Sequence, residues 1–368
     1  MVNIGIAGIG AIAEQYIKLI TSNKIKNCKI TSFSSRNRQH MEGICEKYNL
    51  KEVKLFTDYE EMLKSKEIDM VMICTPHFLH PSMAIKAVEN GIHTLVEKPV
   101  GVFSDEVETL LKKLDENPNI KNGVLYCRRT SKAFNKIKKI IDCGKIGDLK
   151  RVCWIITNLY RTDSYHKFQS WKGTYKQEGG GLLMTQASHQ LDLLVWLCSM
   201  PKKINAFCYC GRERDIEVEN DVTIQMEFEN GATGQFISSS REFPGTNRLE
   251  IIGSKGQIIL NNDSELIIRE LSQDEKIYSK TTKELYGTIP YTEKTLYFDD
   301  ADNSIQQSEI VNNFINGIEN NEKILCSVKD ALESLYLING AYLSSWEKKE
   351  IEFPMNNKEF RKKLEEKF

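Results

Sequence analysis

The sequence predicts two domains: a doubly wound α/β domain with a parallel sheet, then an α+β domain built on an open, mostly antiparallel sheet. Three observations carry that expectation. Short apolar runs alternate with helically periodic segments from Val2 to about Cys127, a glycine turn stands at the first strand–helix junction, and beyond Gly144 the texture changes to long strands joined by tight turns. The 368 residues fit two domains of ordinary size better than one.

Strands of the first domain are expected over 2–7, 29–34, 69–74, 93–97 and 123–127. Between them Ile12, Tyr16, Leu19 and Ile20, and again Met41, Ile44, Cys45 and Tyr48, recur at spacings of three and four, so each set shares one helical face. Pro81 and Gly91 frame a further helix, and Ser104 with Asp105 and Glu106 opens another. In the second domain Gly144 is placed to cap a helix carrying Phe134, Ile137 and Ile141. Runs over 222–228 and 233–239 flank Asn230-Gly231, and runs over 248–253 and 257–260 flank Ser254-Lys255-Gly256, which reads as two hairpins. Helices are expected around 305–318 and 328–343, and the charged tail after Asn356 reads as a solvated helix. The division falls near residue 125, giving domains 1–125 and 126–368.

Composition excludes several classes. With 40% hydrophobic and 27% charged residues, the chain carries enough apolar side chain for two cores and is not expected to be disordered. Fifty basic against 51 acidic residues give no field that would hold nucleic acid or an anionic membrane. No apolar run approaches the roughly 20 residues of a membrane helix, and the N-terminus lacks the basic and apolar regions of a signal peptide, so the cytoplasm is expected. The ten cysteines include no Cys-x-x-Cys pair and read as reduced thiols. The six histidines and the cysteines lack ligand spacing, so no metal is expected, and no Gly-x-Ser-x-Gly elbow is present.

The chemistry begins at Gly8-Ile9-Gly10-Ala11-Ile12-Ala13, a G-x-G-x-x-A turn after a strand and opening a helix. Glycines there allow the tight turn and close approach of backbone to a pyrophosphate, whose charge the helix N-terminus favours. The second strand does not end in the acidic residue that would bond an adenosine ribose. Ser35 and Arg36 stand there instead, and a guanidinium suits a 2′-phosphate, so NAD(P) is expected with a lean to NADP; alternatively Arg36 stacks on adenine and either cofactor binds. Thr75, Pro76, His77 and His80 follow the fourth apolar run, at the carboxyl end where open α/β sheets place ligands, although either histidine is equally suited to capping a helix. Lys98, between Glu97 and Pro99 after the next strand, is a cation that can be aimed at a substrate or left on the surface. His189 opens an apolar helix after the flexible Gly179-Gly180-Gly181, with Asp192 one turn on and able to orient an imidazole; a purely structural histidine fits the same position.

These strings in this order, Gly8 to Ala13, Thr75-Pro76 with His80, Glu97-Lys98-Pro99, and three glycines ten residues before His189, resemble the Gfo/Idh/MocA oxidoreductase family over nearly the whole chain. The resemblance implies an N-terminal Rossmann domain, and the residues expected at the cofactor are Gly8, Ile9, Gly10, Ala11, Ile12, Ser35, Arg36, Thr75, Pro76, His77, His80, Glu97 and Lys98. It implies sugars, polyols or cyclitols as substrates, and an antiparallel sheet that serves as the interface of a homodimer or homotetramer. It implies that Lys98 and His189 are catalytic, Lys98 on the reacting hydroxyl and His189 as acid/base. Many members carry aspartate four residues before that histidine, whereas Thr185 stands here, so Thr185 and Gln186 are expected to bond substrate hydroxyls, with Asp192 also expected at the substrate. Tyr160, Arg161, Tyr165 and Trp171 are what a sugar ring needs, though they can equally pack their own loop. The same residues would serve a glycosidase that transiently oxidises a ring hydroxyl, whereas a non-catalytic cofactor-sensing regulator on this fold would need neither Lys98 nor His189.

Overall fold

The computed structural model describes residues 1–168, 171–299 and 302–368. The first elements alternate strictly: β1 (Val2–Ala7), α1 (Ala11–Thr21), β2 (Cys28–Ser34), α2 (Arg38–Lys47), β3 (Lys54–Phe56), α3 (Tyr59–Lys64), β4 (Met70–Ile73), α4 (His80–Glu89), β5 (His93–Val96), α5 (Ser104–Glu116) and β6 (Asn122–Val124). There follow α6 (Lys132–Asp142), β7 (Leu149–Ile156), the helices α7 (Asp163–Lys167), α8 (Tyr175–Glu178), α9 (Leu182–Thr185) and α10 (Ser188–Cys198), then β8 (Lys203–Cys210), β9 (Glu219–Glu227), β10 (Thr233–Ser239), β11 (Asn247–Gly253), β12 (Gly256–Asn261) and β13 (Glu265–Leu271). The chain ends with α11 (Glu275–Thr281), β14 (Tyr291–Tyr297), α12 (Asn303–Asn320), α13 (Val328–Glu347), β15 (Ile351–Glu352) and α14 (Asn357–Glu365).

Two compact units result. The first holds 1–130, 177–179 and 302–335. Its six parallel strands run in the order β3-β2-β1-β4-β5-β6, the doubly wound arrangement whose topological switch point lies between β1 and β4. The strands read as continuous apolar runs because helices cover both faces; β4 is buried at every position. One such cover comes from far along the chain: Ile310, Val311, Phe314 and Ile315 of α12 join the cluster of Val2, Ile4, Ile6, Tyr16, Ile17 and Leu95. A Cβ on Gly123 would stand 2.9 Å from the Phe314 ring. The backbone joins in, with Val124 N donating to Cys326 O at 3.0 Å and Val328 N to Asn122 Oδ1 at 2.9 Å. This unit therefore differs from the expected segment 1–125: a single sheet needs two covered faces, and one of the covering helices is supplied by a segment that local periodicity could not attach to it.

The second unit holds 131–176, 180–301 and 336–368. Its nine strands run β14-β13-β12-β11-β7-β10-β9-β8-β15, and every neighbouring pair is antiparallel except β7 with β10. Strands β9 and β10 pair through the Asn230-Gly231 turn, where Gly231 adopts a φ of 80°, and β11 and β12 pair through 254–255. Alternation of buried and exposed positions along β9, β10 and β11 leaves one face open. The tail is more than a solvated helix: Phe360 and Leu364 of α14 are fully buried, and the Phe360 ring stacks on Trp346 with centroids 5.9 Å apart. All ten cysteines are free.

Candidate active site

In the first unit the glycine turn is shaped by close approach. Gly8 has a φ of 85°, and a Cβ there would lie 2.8 Å from the Cys74 carbonyl oxygen. A Cβ on Gly10, the residue before α1, would meet nothing within 4 Å, and no side chain caps that helix. A tight turn, open space and an uncapped helix N-terminus together fit a dinucleotide pyrophosphate. Ile9 is buried, Ala11 exposed and Ile12 half-buried against the core. Sequence reasoning missed His40: its Nε2 lies 2.9 Å from the Ile9 carbonyl oxygen, so the ring braces the turn from α2. At the carboxyl end of β2, Ser35 N donates to Phe56 O at 3.1 Å, Arg36 is exposed, and Asn37 caps α2 through His40 N.

At the carboxyl ends of β4 and β5, Thr75 is half-buried and donates to Met83 Sδ, Pro76 is exposed, and His77 Nδ1 lies 3.0 Å from Glu178 O. His80, expected at the cofactor, is instead fully buried, its Nδ1 2.8 Å from Pro99 O and its Nε2 2.7 Å from Thr75 O. It ties the Thr75 and Pro99 turns together. Burial pushes its pKa down, against the two carbonyls, which favour the protonated ring. Glu97 is likewise inside: Oε1 accepts from Tyr16 OH at 3.0 Å and Oε2 from Lys98 N at 3.0 Å. Burial raises its carboxyl above the usual value, with Lys98 and Tyr16 opposing the rise. Lys98 itself is half-buried, next in sequence to this carboxylate.

In the second unit, His189 is half-buried at the second position of α10, with Asp192 one turn on and buried. Ahead of it α9 carries Thr185, whose hydroxyl donates to Gly181 O at 2.8 Å, and Gln186 follows at its end. Gln186 Nε2 donates to Tyr165 OH at 3.0 Å. The Lys172 ammonium sits 3.7 Å from the Tyr165 ring centroid and the Arg161 guanidinium 5.0 Å. Burial pushes the Tyr165 hydroxyl up, but Lys172, Gln186 and Arg161 outweigh it and leave the group below the usual tyrosine value. Arg161 also folds back, donating to the Leu159 and Tyr160 carbonyls. Tyr160 lies edge-on to Phe243 with Arg214 over its ring, and Trp171, about one third exposed, lies beneath Lys172. The structure thus brings Tyr165, Arg161, Lys172 and Gln186 together, whereas Tyr160 packs with Phe243 and Arg214. Lys172 and Arg214 carried no periodic signal that could have singled them out.

Two matches decide the lineage. Residues 2–123 match the oxidoreductase family with an NAD-binding Rossmann fold, and residues 134–259 match the Gfo/Idh/MocA C-terminal domain. The chain belongs to the Gfo/Idh/MocA oxidoreductase family. Its similarity extends to the inositol 2-dehydrogenase of Rhizobium meliloti, 24% identical over 355 residues that cover 95% of this chain and 98% of that protein. The scyllo-inositol 2-dehydrogenase (NAD(+)) of Bacillus subtilis is 27% identical over 273 residues, 70% of this chain and 73% of that one. Among solved structures, levoglucosan dehydrogenase in complex with NADH superposes with a TM-score of 0.80 at 19% identity, covering 96% of this chain and all of that one, which supports the shared fold. This Gfo/Idh/MocA member is an oxidoreductase with a Rossmann domain for a nicotinamide dinucleotide, and no described helix is long and apolar enough to cross a membrane.

Proposed function

We propose that the protein moves a hydride between NAD(P) and a secondary alcohol of a sugar, sugar derivative or cyclitol, with a lean to NADP. The observation that carries the reading is Lys98: a half-buried ammonium at the carboxyl end of β5, next to a buried carboxylate and a turn fixed by His80, in a chain of this family. A bound nicotinamide supplies the hydride acceptor or donor. Lys98 then stabilises the alkoxide character that develops on the reacting oxygen, and His189 takes or returns the hydroxyl proton at its imidazole. Thr185, Gln186 and Tyr165 bond neighbouring hydroxyls and set which carbon presents its hydrogen. Arg36 and Ser35 receive a 2′-phosphate. The open face of the second sheet, where Arg151, Cys153, Gln225, Gln235 and Glu250 are grouped, joins copies into a dimer or tetramer.

A panel of sugars, sugar phosphates and cyclitols assayed with NAD and NADP in parallel tests the reading. Lys98→Ala and His189→Ala are expected to keep cofactor bound and lose turnover. Full activity in both variants would remove their roles, and cleavage of aryl glycosides without net change in nicotinamide absorbance would replace simple dehydrogenation with the glycosidase reading.

A further inference from the structure

The three glycines ahead of α9 read from sequence as a flexible hinge, yet Gly180 and Gly181 are buried and crowded. A Cβ on Gly180 would collide with Tyr342 Oη, and one on Gly181 would collide with the Glu219 carbonyl oxygen and stand 3.0 Å from its Oε2. Gly180 makes room for Tyr342, and Gly181 for Glu219 on β9, 1% exposed. Its Oε2 accepts from Gly181 N at 2.9 Å, and its Oε1 accepts from Leu183 N at 2.8 Å and from Tyr342 OH at 2.7 Å. Two backbone amides and one hydroxyl therefore converge on a single side chain. With two lone pairs on each oxygen, the carboxyl group takes all three donors at once. Burying an ionisable group to secure a four-residue helix is a poor route to stability alone, since an apolar replacement often serves as well. It does fix the register of the segment beyond that helix. Thr185 N and Oγ1 both return to Gly181 O, Gln186 N and Ala187 N return to Leu182 O, and Ala187 immediately precedes α10 with His189.

We propose that Glu219 is a positioning residue of the substrate site: its carboxylate clamps Gly181 and Leu183 and thereby sets where Thr185, Gln186 and His189 stand toward a polyol. The inference rests on the substrate-side roles given above to those three residues. Neither Glu219 nor Tyr342 was marked by any motif, and the clamp connects segments 36 and more residues apart in sequence.

The test uses the full chain with Glu219→Gln, which keeps the volume and one acceptor, and Tyr342→Phe, which keeps both amide bonds. Hydrogen–deuterium exchange of the peptide covering 180–187 is read first. In Glu219→Gln those amides are expected to exchange about ten-fold faster, the loss of one bond to a carboxyl oxygen, and in Tyr342→Phe distinctly less so. Turnover with inositol and levoglucosan is read second. The kcat/KM for the polyol is expected to fall roughly ten-fold or more in Glu219→Gln, while the dissociation constant for NADPH, read by its fluorescence, stays within about two-fold. Unchanged exchange overturns the clamp. Faster exchange with wild-type polyol kcat/KM, or an equal loss of NADPH affinity, overturns the positioning role. A wild-type protein that binds NADPH but oxidises neither polyol counts against the functional reading instead, and the exchange result alone then decides the clamp.

Discussion

Removing one oxygen from Tyr16 should destabilise the first unit by about 1.5–3 kcal/mol, in a manner that depends on pH. Tyr16 is 1% exposed and its hydroxyl donates to Glu97 Oε1 at 3.0 Å across the interior from α1 to the end of β5. Tyr16→Phe keeps the ring and its packing but leaves a buried carboxylate one donor short, and bonds to charged groups are worth about 1.5–3 kcal/mol. Burial already raises the Glu97 carboxyl, and the missing donor raises it further. A group whose folded pKa is raised contributes stability below its unfolded value, near 4.5, and loses it as pH rises through the folded value. The penalty of the mutation should accordingly be full above the raised folded value, where the carboxyl is ionised, and shrink as pH falls through it. Urea unfolding followed by far-ultraviolet circular dichroism is the suitable assay, because all four tryptophans, Trp154, Trp171, Trp196 and Trp346, belong to the second unit and their fluorescence would report on the wrong one. A variant within 0.5 kcal/mol of wild type near pH 8, on the order of a neutral surface change, or a penalty independent of pH, would refute the coupling.

Gly8→Ala places a methyl group 2.8 Å from the Cys74 carbonyl at a φ of 85°, so a loss of about 2–4 kcal/mol and of cofactor binding is expected by thermal unfolding and NADPH titration. Arg36→Ala should weaken NADPH binding by roughly ten-fold or more and leave NADH binding nearly unchanged in fluorescence titrations; equal effects on both would assign Arg36 to the adenine instead. Tyr165→Phe removes the oxygen that accepts from Gln186, and the KM for the polyol should rise several-fold with cofactor affinity intact. Burial lifts the Glu219 carboxyl from 4.5 to about 7, so its contribution to stability is complete below about pH 4.5 and lost as pH rises through 7, a difference of about 3 kcal/mol that Glu219→Gln should flatten in melting curves across that range.

Much of the architecture was legible because local rules and global fold agree in it. The strand–helix alternation, the Gly8 turn, the Asn230-Gly231 hairpin and the proline and glycine punctuation of α4 are all short-range signals, and the sheets they build are those expected. What the sequence could not reveal depends on partners distant along the chain. The return of α12 to the first sheet is encoded by the fit of Phe314 against Gly123, which no window of residues displays. His80 reads from sequence as a ligand or a helix cap alike, and only its two carbonyl partners, Thr75 and Pro99, show it bridging two turns. The glycines at 180–181 suggested mobility and in fact serve close approach, to Glu219 and to Tyr342. Phe360 and Leu364 were hidden in a tail whose average charge masked two buried positions on one helical face.

The late segment that completes the first sheet also bears on how the protein is made. Roughly 180 residues separate β6 from α12, and at a synthesis rate of about 5–20 residues per second they take some 10–40 s to emerge. During that interval Leu95, Leu125 and Cys127 have no Phe314 beside them, so the nascent first unit presents an apolar flank to water or to a chaperone. A fragment ending at residue 125 or 130 would stay in that unfinished state, and joining 302–335 to it through a short linker is the change that should let it fold.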